Sequence, residues 1–165
     1  MKPLFVYDDE LLKYRFSDTH PFNQMRLKLT KDLLMDSDFL KESDLVKPRT
    51  ATLEELELVH SHDYISAVQK AGHGELSHED EIKYGLNTDD TPNFQDMHEK
   101  CSLIVGASLT AVDLVMSGAT KQAVSLAGGL HHGFQGKASG FCIYNDAVIA
   151  CEYITRKYAK KVRYV

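Results

Sequence analysis

The pattern of apolar and polar positions divides the chain into short strands and longer helices. Leu4 to Tyr7 is a compact apolar run stopped by Asp8-Asp9-Glu10, which predicts a short buried strand. Thr19-His20-Pro21-Phe22 follows, and its proline favours an extended turn ahead of a helix from about Met25 to Leu34. Thr52 and Glu55 have the spacing of a capping box and open a helix. A further helix from about Asp63 to Gln69 is expected to stop at Gly72-His73-Gly74. Residues 72–93 are polar and weakly periodic, with three glycines and a proline, and read as a long loop. Loops of that length inside a compact domain are usually functional.

From about Asp96 to Met116 the apolar positions keep largely helical spacing, among them Met97, Cys101, Ile104, Val105, Leu109 and Val112. This predicts a long core helix ending at Gly118, with Gly106, Ala107 and Ser108 small enough to let a neighbour approach. Ala123 to Ala127 reads as a strand, Gly128 to Gly140 as a glycine-rich loop, Asn145 to about Tyr158 as a helix, and Val162 to Val165 as the start of another strand. Strand, loop, helix, strand is a βαβ unit, whose strands run parallel with a right-handed crossover. In open α/β sheets the ligand site lies beyond the carboxyl ends of the strands, which is where residues 128–140 fall. A buried parallel strand needs partners and a helix on each face. A chain that stops inside one is therefore expected to be the amino-terminal portion of a longer domain.

Composition narrows the function classes. The chain has 165 residues, enough for one domain with a core, and is 43% hydrophobic and 26% charged, the balance of a globular protein. Its formal net charge is -5, and its only basic cluster, Arg156 to Lys161, suits the solvated, dipole-matched end of a helix. Nucleic acid is not an expected ligand. No apolar stretch of about 18 residues is present, so no membrane span is expected. The Leu4–Tyr7 run is too short for a signal-peptide core. Three cysteines, Cys101, Cys142 and Cys151, lack metal-knuckle spacing, and a reduced cytoplasmic protein is the simplest account. Nothing in the sequence sets the oligomeric state.

The candidate chemistry lies in Gly128-Gly129-Leu130-His131-His132-Gly133. Adjacent histidines in extended backbone diverge and chelate one metal poorly. They suit two tasks, one proton acceptor and one donor near a bound water. On spacing alone this reading and a pair satisfied by local hydrogen bonds are equally good. Downstream, Ser139-Gly140-Phe141-Cys142-Ile143-Tyr144-Asn145-Asp146 sets an aromatic beside a glycine and then a helix start with Asn145 as N-cap. Such an aromatic can wall a narrow slot for an alkyl chain, or simply pack in the core. Asp63 reads as a first-turn acid, His60 and His62 as capping or packing residues, and His73, His78 and His98 as solvated.

Gly-Gly-Leu-His-His followed by Ser-Gly-Phe-Cys and Tyr-Asn-Asp resembles the histone deacetylase family, class I branch. His20-Pro21-Phe22 with Arg26, Leu53 to Tyr64, and Thr88-Asp89-Asp90-Thr91-Pro92 extend the resemblance over essentially the whole chain, and its wording is most similar to the bacterial acetoin-utilisation deacetylases. The resemblance implies an α/β fold of the arginase–deacetylase type, three-layered around a mainly parallel sheet, of which residues 1–165 would be an incomplete amino-terminal portion. It implies hydrolysis of an acetylated lysine in a protein, or of a small acetylated amine, to acetate and free amine with zinc as cofactor. His131 and His132 would be the general base and acid, Phe141 with Gly140 the tunnel wall, Asp90 the rim acceptor for substrate backbone amides, and Arg26 the inner-cavity residue on the product's exit path. Gly133 stands where class I eukaryotic enzymes usually have alanine. The zinc ligands, the acids orienting the histidines and the carbonyl-polarising tyrosine have no counterpart within residues 1–165, so this chain alone is expected to be inactive, while the sequence leaves open whether it binds any metal. Two other readings remain: a cysteine hydrolase with Cys142 as nucleophile, and a non-catalytic acyl-lysine-binding relic.

Overall fold

The computed structural model describes residues 2–165. Leu4–Val6 forms β1, with Phe5 and Val6 buried. It is the middle strand of a small parallel sheet, paired on one side with β2 (Leu45–Val46) and on the other with β3 (Ala123–Val124). The crossover from β1 to β2 carries helix α1 (Met25–Asp36), and that from β2 to β3 carries α2 (Leu53–Leu56), α3 (His62–His73), α4 (His78–Tyr84) and α5 (Met97–Met116). Helix α6 (Asp146–Tyr158) follows the long loop after β3.

Helix α5 organises the core. It packs on β1 and β3 and against α3 and α6, and its Ile104, Val105, Ala107 and Leu109 are fully enclosed. The expected close approach occurs at Gly106, where an added Cβ would collide with the Arg49 carbonyl oxygen. The segment after β2 runs against this gap, with Ala51 N donating to Ser102 O at 3.0 Å and Arg49 N to Thr110 Oγ1 at 3.2 Å. Arg49 also grips Glu55 with both guanidinium nitrogens at 2.7 Å. The Thr52–Glu55 capping box forms as the sequence predicts, and Ser61 caps α3 by accepting from Tyr64 N, without a reciprocal bond.

Four expectations are corrected. Residues 72–93 are not one loop, because α4 forms within them: Ser77 caps its start, Glu79, Asp80 and Glu81 complement its dipole, and Gly85 ends it in the left-handed conformation. Strand β3 stops at Val124 rather than Ala127, and the short β2 carries too little apolar periodicity to be seen in the sequence. Residues 159–165 form no strand: Ala159 ends α6 with φ +51° and Val165 is 98% exposed. Val162, Tyr164 and Val165 bury too little surface in this chain to offset the backbone entropy of ordering them. Finally, His98 is not solvated. It is half-buried, with Nδ1 at 2.9 Å from the Tyr144 hydroxyl.

Candidate active site

The loop after β3 is held from beneath by the first residues of α6. Asp146 is 2% exposed, and its carboxylate accepts from Gly129 N at 3.1 Å, Leu130 N at 2.7 Å and the Ser108 hydroxyl at 2.5 Å. Gly128 passes so close that a Cβ there would strike both the Asp146 carboxylate and Ser108 Oγ. Asn145 caps α6 through Val148 N at 3.0 Å, and its amide donates to His131 O at 3.2 Å and Gly133 O at 2.9 Å. The histidine pair is thus tied on both flanks, and its two rings stand with centroids 4.4 Å apart on the exposed side of the loop. Gly129 O accepts from both His131 N and His131 Nδ1 at 3.0 Å. A carbonyl cannot donate, so this contact takes a proton on Nδ1, which in the neutral ring leaves Nε2 as an acceptor.

Ser139 to Cys142 forms a two-residue hairpin closed by Cys142 N to Ser139 O at 2.8 Å and Ser139 N to Cys142 O at 3.1 Å. Such turns require positive φ at both central positions. Gly140 (φ +52°) adopts this readily, whereas Phe141 (φ +69°) is strained. The buried Tyr14 holds Phe141 there by donating its hydroxyl to Phe141 O at 2.5 Å. The Phe141 ring is only half-buried, edge-on to His20 at 4.8 Å and 6.0 Å from Phe22. Gly140 rests on the His132 ring, so the hairpin and the histidine pair share one surface.

Asp90 lies on the exposed Thr88–Thr91 turn, which Thr91 anchors by donating to Gly85 O at 2.7 Å. It faces a groove of about 350 Å³ whose other wall includes Lys137, Ser139 and Gly140. Arg26 is exposed on the first turn of α1, its guanidinium 5.0 Å above the Phe22 ring. Asp90 shares a groove with Gly140, which lies against His132 and adjoins Phe141, and Arg26 joins this group through Phe22.

The other candidates resolve into supports. His60 is 2% exposed, with Nδ1 at 3.2 Å from Gln135 O and Nε2 accepting from Asn145 N at 3.0 Å. Both nitrogens are occupied in the neutral form, and burial depresses its pKa. His62 is exposed and paired with Glu57 at 2.7 Å. Cys142 is buried, its thiol points to Gly140 O at 3.3 Å, and burial raises its pKa, which argues against a nucleophile. Among the described residues no group of three or more His, Cys, Asp or Glu is arranged to hold a metal. The donor set around His131 and His132 does not fit zinc, which takes at least three protein ligands. Sequence reasoning missed the reach of Asp146, which entered only as the last residue of the Tyr-Asn-Asp motif, and the support from Tyr14, for which no local signal exists.

Known proteins resemble this chain over nearly its whole length. The histone deacetylase domain profile matches residues 20–165. The acetoin utilization protein AcuC of Bacillus subtilis is 52% identical over 162 residues, covering 98% of this chain and 42% of that protein. AcuC of Staphylococcus aureus (strain MRSA252) is 48% identical over 161 residues, covering 98% of this chain and 41% of that protein. The crystal structure of an HDAC homolog from Aquifex aeolicus superposes with a TM-score of 0.80 at 29% identity, over 95% of this chain and 42% of that one. A structure of an HDAC homolog complexed with SAHA gives the same TM-score, 0.80. The chain spans about two fifths of the length of these relatives. The parallel sheet, the covering helices and the loop at the strand ends define an α/β domain of the arginase–deacetylase type. The chain belongs to the histone deacetylase family.

Proposed function

We propose that this chain carries the histidine half of a deacetylase site, acting on acetyl-lysine-type amides in acetoin utilisation and releasing acetate and a free amine. The observation that carries the reading is the side-by-side placement of His131 and His132, with Gly140 against the His132 ring and Phe141 next to it. His131 has the acceptor Nε2 that a general base needs, and His132 beside it serves as the acid returning a proton to the leaving amine. Phe141 and Gly140 grip the methylenes of the acyl-lysine, Asp90 accepts from substrate backbone amides at the groove rim, and Arg26 attends the exit of the small acid. Protein acetyl-lysine and a small acetylated amine both fit this site.

Zinc dependence is part of the proposal, and the described residues alone do not complete a zinc site. We infer that the 165 residues alone are inactive. The free thiols Cys101, Cys142 and Cys151 suit a reducing cytoplasm. Acetate release from an acetyl-lysine peptide tests the reading, measured on this chain and on a form extended to its relatives' length. The extended, zinc-loaded form should turn over, and His131→Ala and His132→Ala should each lower kcat by about 10²–10⁴-fold. Full activity in either variant sinks the acid–base assignment, and peptide binding without turnover favours a binding relic. Turnover by the 165-residue chain with added zinc sinks the claim that it is inactive.

A further inference from the structure

The groove beside Asp90 carries two charges of opposite sign. Its lining includes Ile82 and Gly85 at the end of α4, Asp90 on the following turn, and Lys137 and Gly140 on the loop after β3. Among the described residues neither Asp90 nor Lys137 takes part in an ion pair. Lys137 is exposed, yet it is held in place. Its stem crosses Gly85 so closely that a Cβ there would stand 2.9 Å from Lys137 Cε. Its backbone is pinned on both sides, with Phe134 N donating to Lys137 O at 2.9 Å and Ala138 N to Tyr84 O at 2.8 Å. Gln135 O, within the same turn, accepts from Ser61 N at 3.1 Å. A lysine whose stem already lies along a surface loses less rotamer freedom when its ammonium takes a partner.

We propose that Lys137 is a specificity-determining residue: its ammonium receives a carboxylate on a residue flanking the acetyl-lysine, so the groove selects peptides with an acidic neighbour. That the peptide is a substrate rests on the deacetylase reading above, whereas the charge preference of the groove does not. Gly140 joins the groove to the histidines, since it lines the one and lies against the His132 ring. An acetyl-lysine reaching the histidine pair past Gly140 leaves its backbone over the groove and its neighbours between Asp90 and Lys137. Asp90 accepts from neutral backbone amides, which every peptide offers. Lys137 has donors alone and needs an acceptor, and a carboxylate gives it the strongest, charge-assisted bond. A basic neighbour would meet the ammonium as a like charge.

The test uses the zinc-loaded form extended to the relatives' length and three labelled peptides. Each carries the methyl-ketone analogue of acetyl-lysine, which has no amide to hydrolyse, between two aspartates, two alanines or two lysines. Fluorescence anisotropy gives the dissociation constants. The aspartate peptide should bind about fivefold tighter than the lysine peptide, and the difference should shrink in about 0.5 M NaCl. Lys137→Glu should reverse the order, and Lys137→Arg should keep it. A residue that merely supports the loop would shift all three constants together and leave their order. Equal constants in the parent, or an order that Lys137→Glu does not reverse, overturn the inference. Acetate release from the corresponding acetyl-lysine peptides separates the two readings. No turnover of any peptide, with the binding order intact, would be the failure of the deacetylase reading; turnover with no charge preference would be the failure of this one.

Discussion

Gly140 lies against the imidazole of His132, so closely that a Cβ on it would stand 3.0 Å from His132 Cγ and 3.2 Å from Cδ2. The glycine that opens the hairpin also seats one of the paired histidines. Gly140→Ala should cost about 1–2 kcal/mol, because an L side chain at positive φ is strained. It should also displace the His132 ring. A lowered thermal midpoint, with a shifted His132 ring signal and unshifted His78, would register both effects. An unmoved His132 signal would show that the hairpin gives way and the ring stays in place.

His60 makes folding sensitive to mild acid. Burial holds its pKa below the ordinary value of 6.5 in the folded chain. As pH falls through about 6.5 the unfolded chain therefore takes up a proton that the folded chain refuses. Stability is unaffected by His60 above that point and is lost progressively below it, until the depressed folded pKa is reached. Half-buried His98 is shifted in the same direction, also by burial, and adds to the trend. Unfolding midpoints measured between pH 7.5 and 5.5 should fall with pH. His60→Gln, which cannot titrate, should flatten the slope; an equally steep variant contradicts the assignment.

Gly106→Ala should be among the most damaging single-methyl additions. The new Cβ would meet backbone on residues 49–51 rather than a side chain that can rotate away. A loss of about 3 kcal/mol is expected, with α5 and the Arg49–Glu55 segment pushed apart. Denaturant unfolding measures it, and a change under about 1 kcal/mol would mean the segment shifts freely.

Cys101 and Cys142 should resist alkylation in the native chain. Both are buried, and burial raises the pKa of each thiol. Cys151, half-buried on α6, should be modified first. Mass spectrometry of iodoacetamide-treated protein gives the order, and rapid labelling of Cys142 would reopen the cysteine-nucleophile reading.

Local signals were enough to read much of this protein. The capping box at Thr52–Glu55, the Asn145 cap and the spacing along α5 each depend on residues within a few turns of one another, so the sequence predicts them correctly. The paired histidines and the Ser-Gly-Phe-Cys motif were legible for the same reason, as short motifs on contiguous chain, whereas the hairpin that this motif forms was not predicted. Helix α4 was missed because its signal is a polar one, resting on Ser77 and Gly85 rather than on an apolar stripe.

What the sequence determined by itself was the set of chemically competent groups and the order of the elements that carry them. Which groups act together was decided by tertiary structure alone. Asp146 reaches back to Gly129 and Leu130, Tyr14 reaches forward to Phe141, and His60 supports Asn145, across separations with no periodicity to betray them. The physical reason is that a buried polar group must find a partner wherever packing brings one. Here packing against α5 and the sheet brought those partners beneath a single loop.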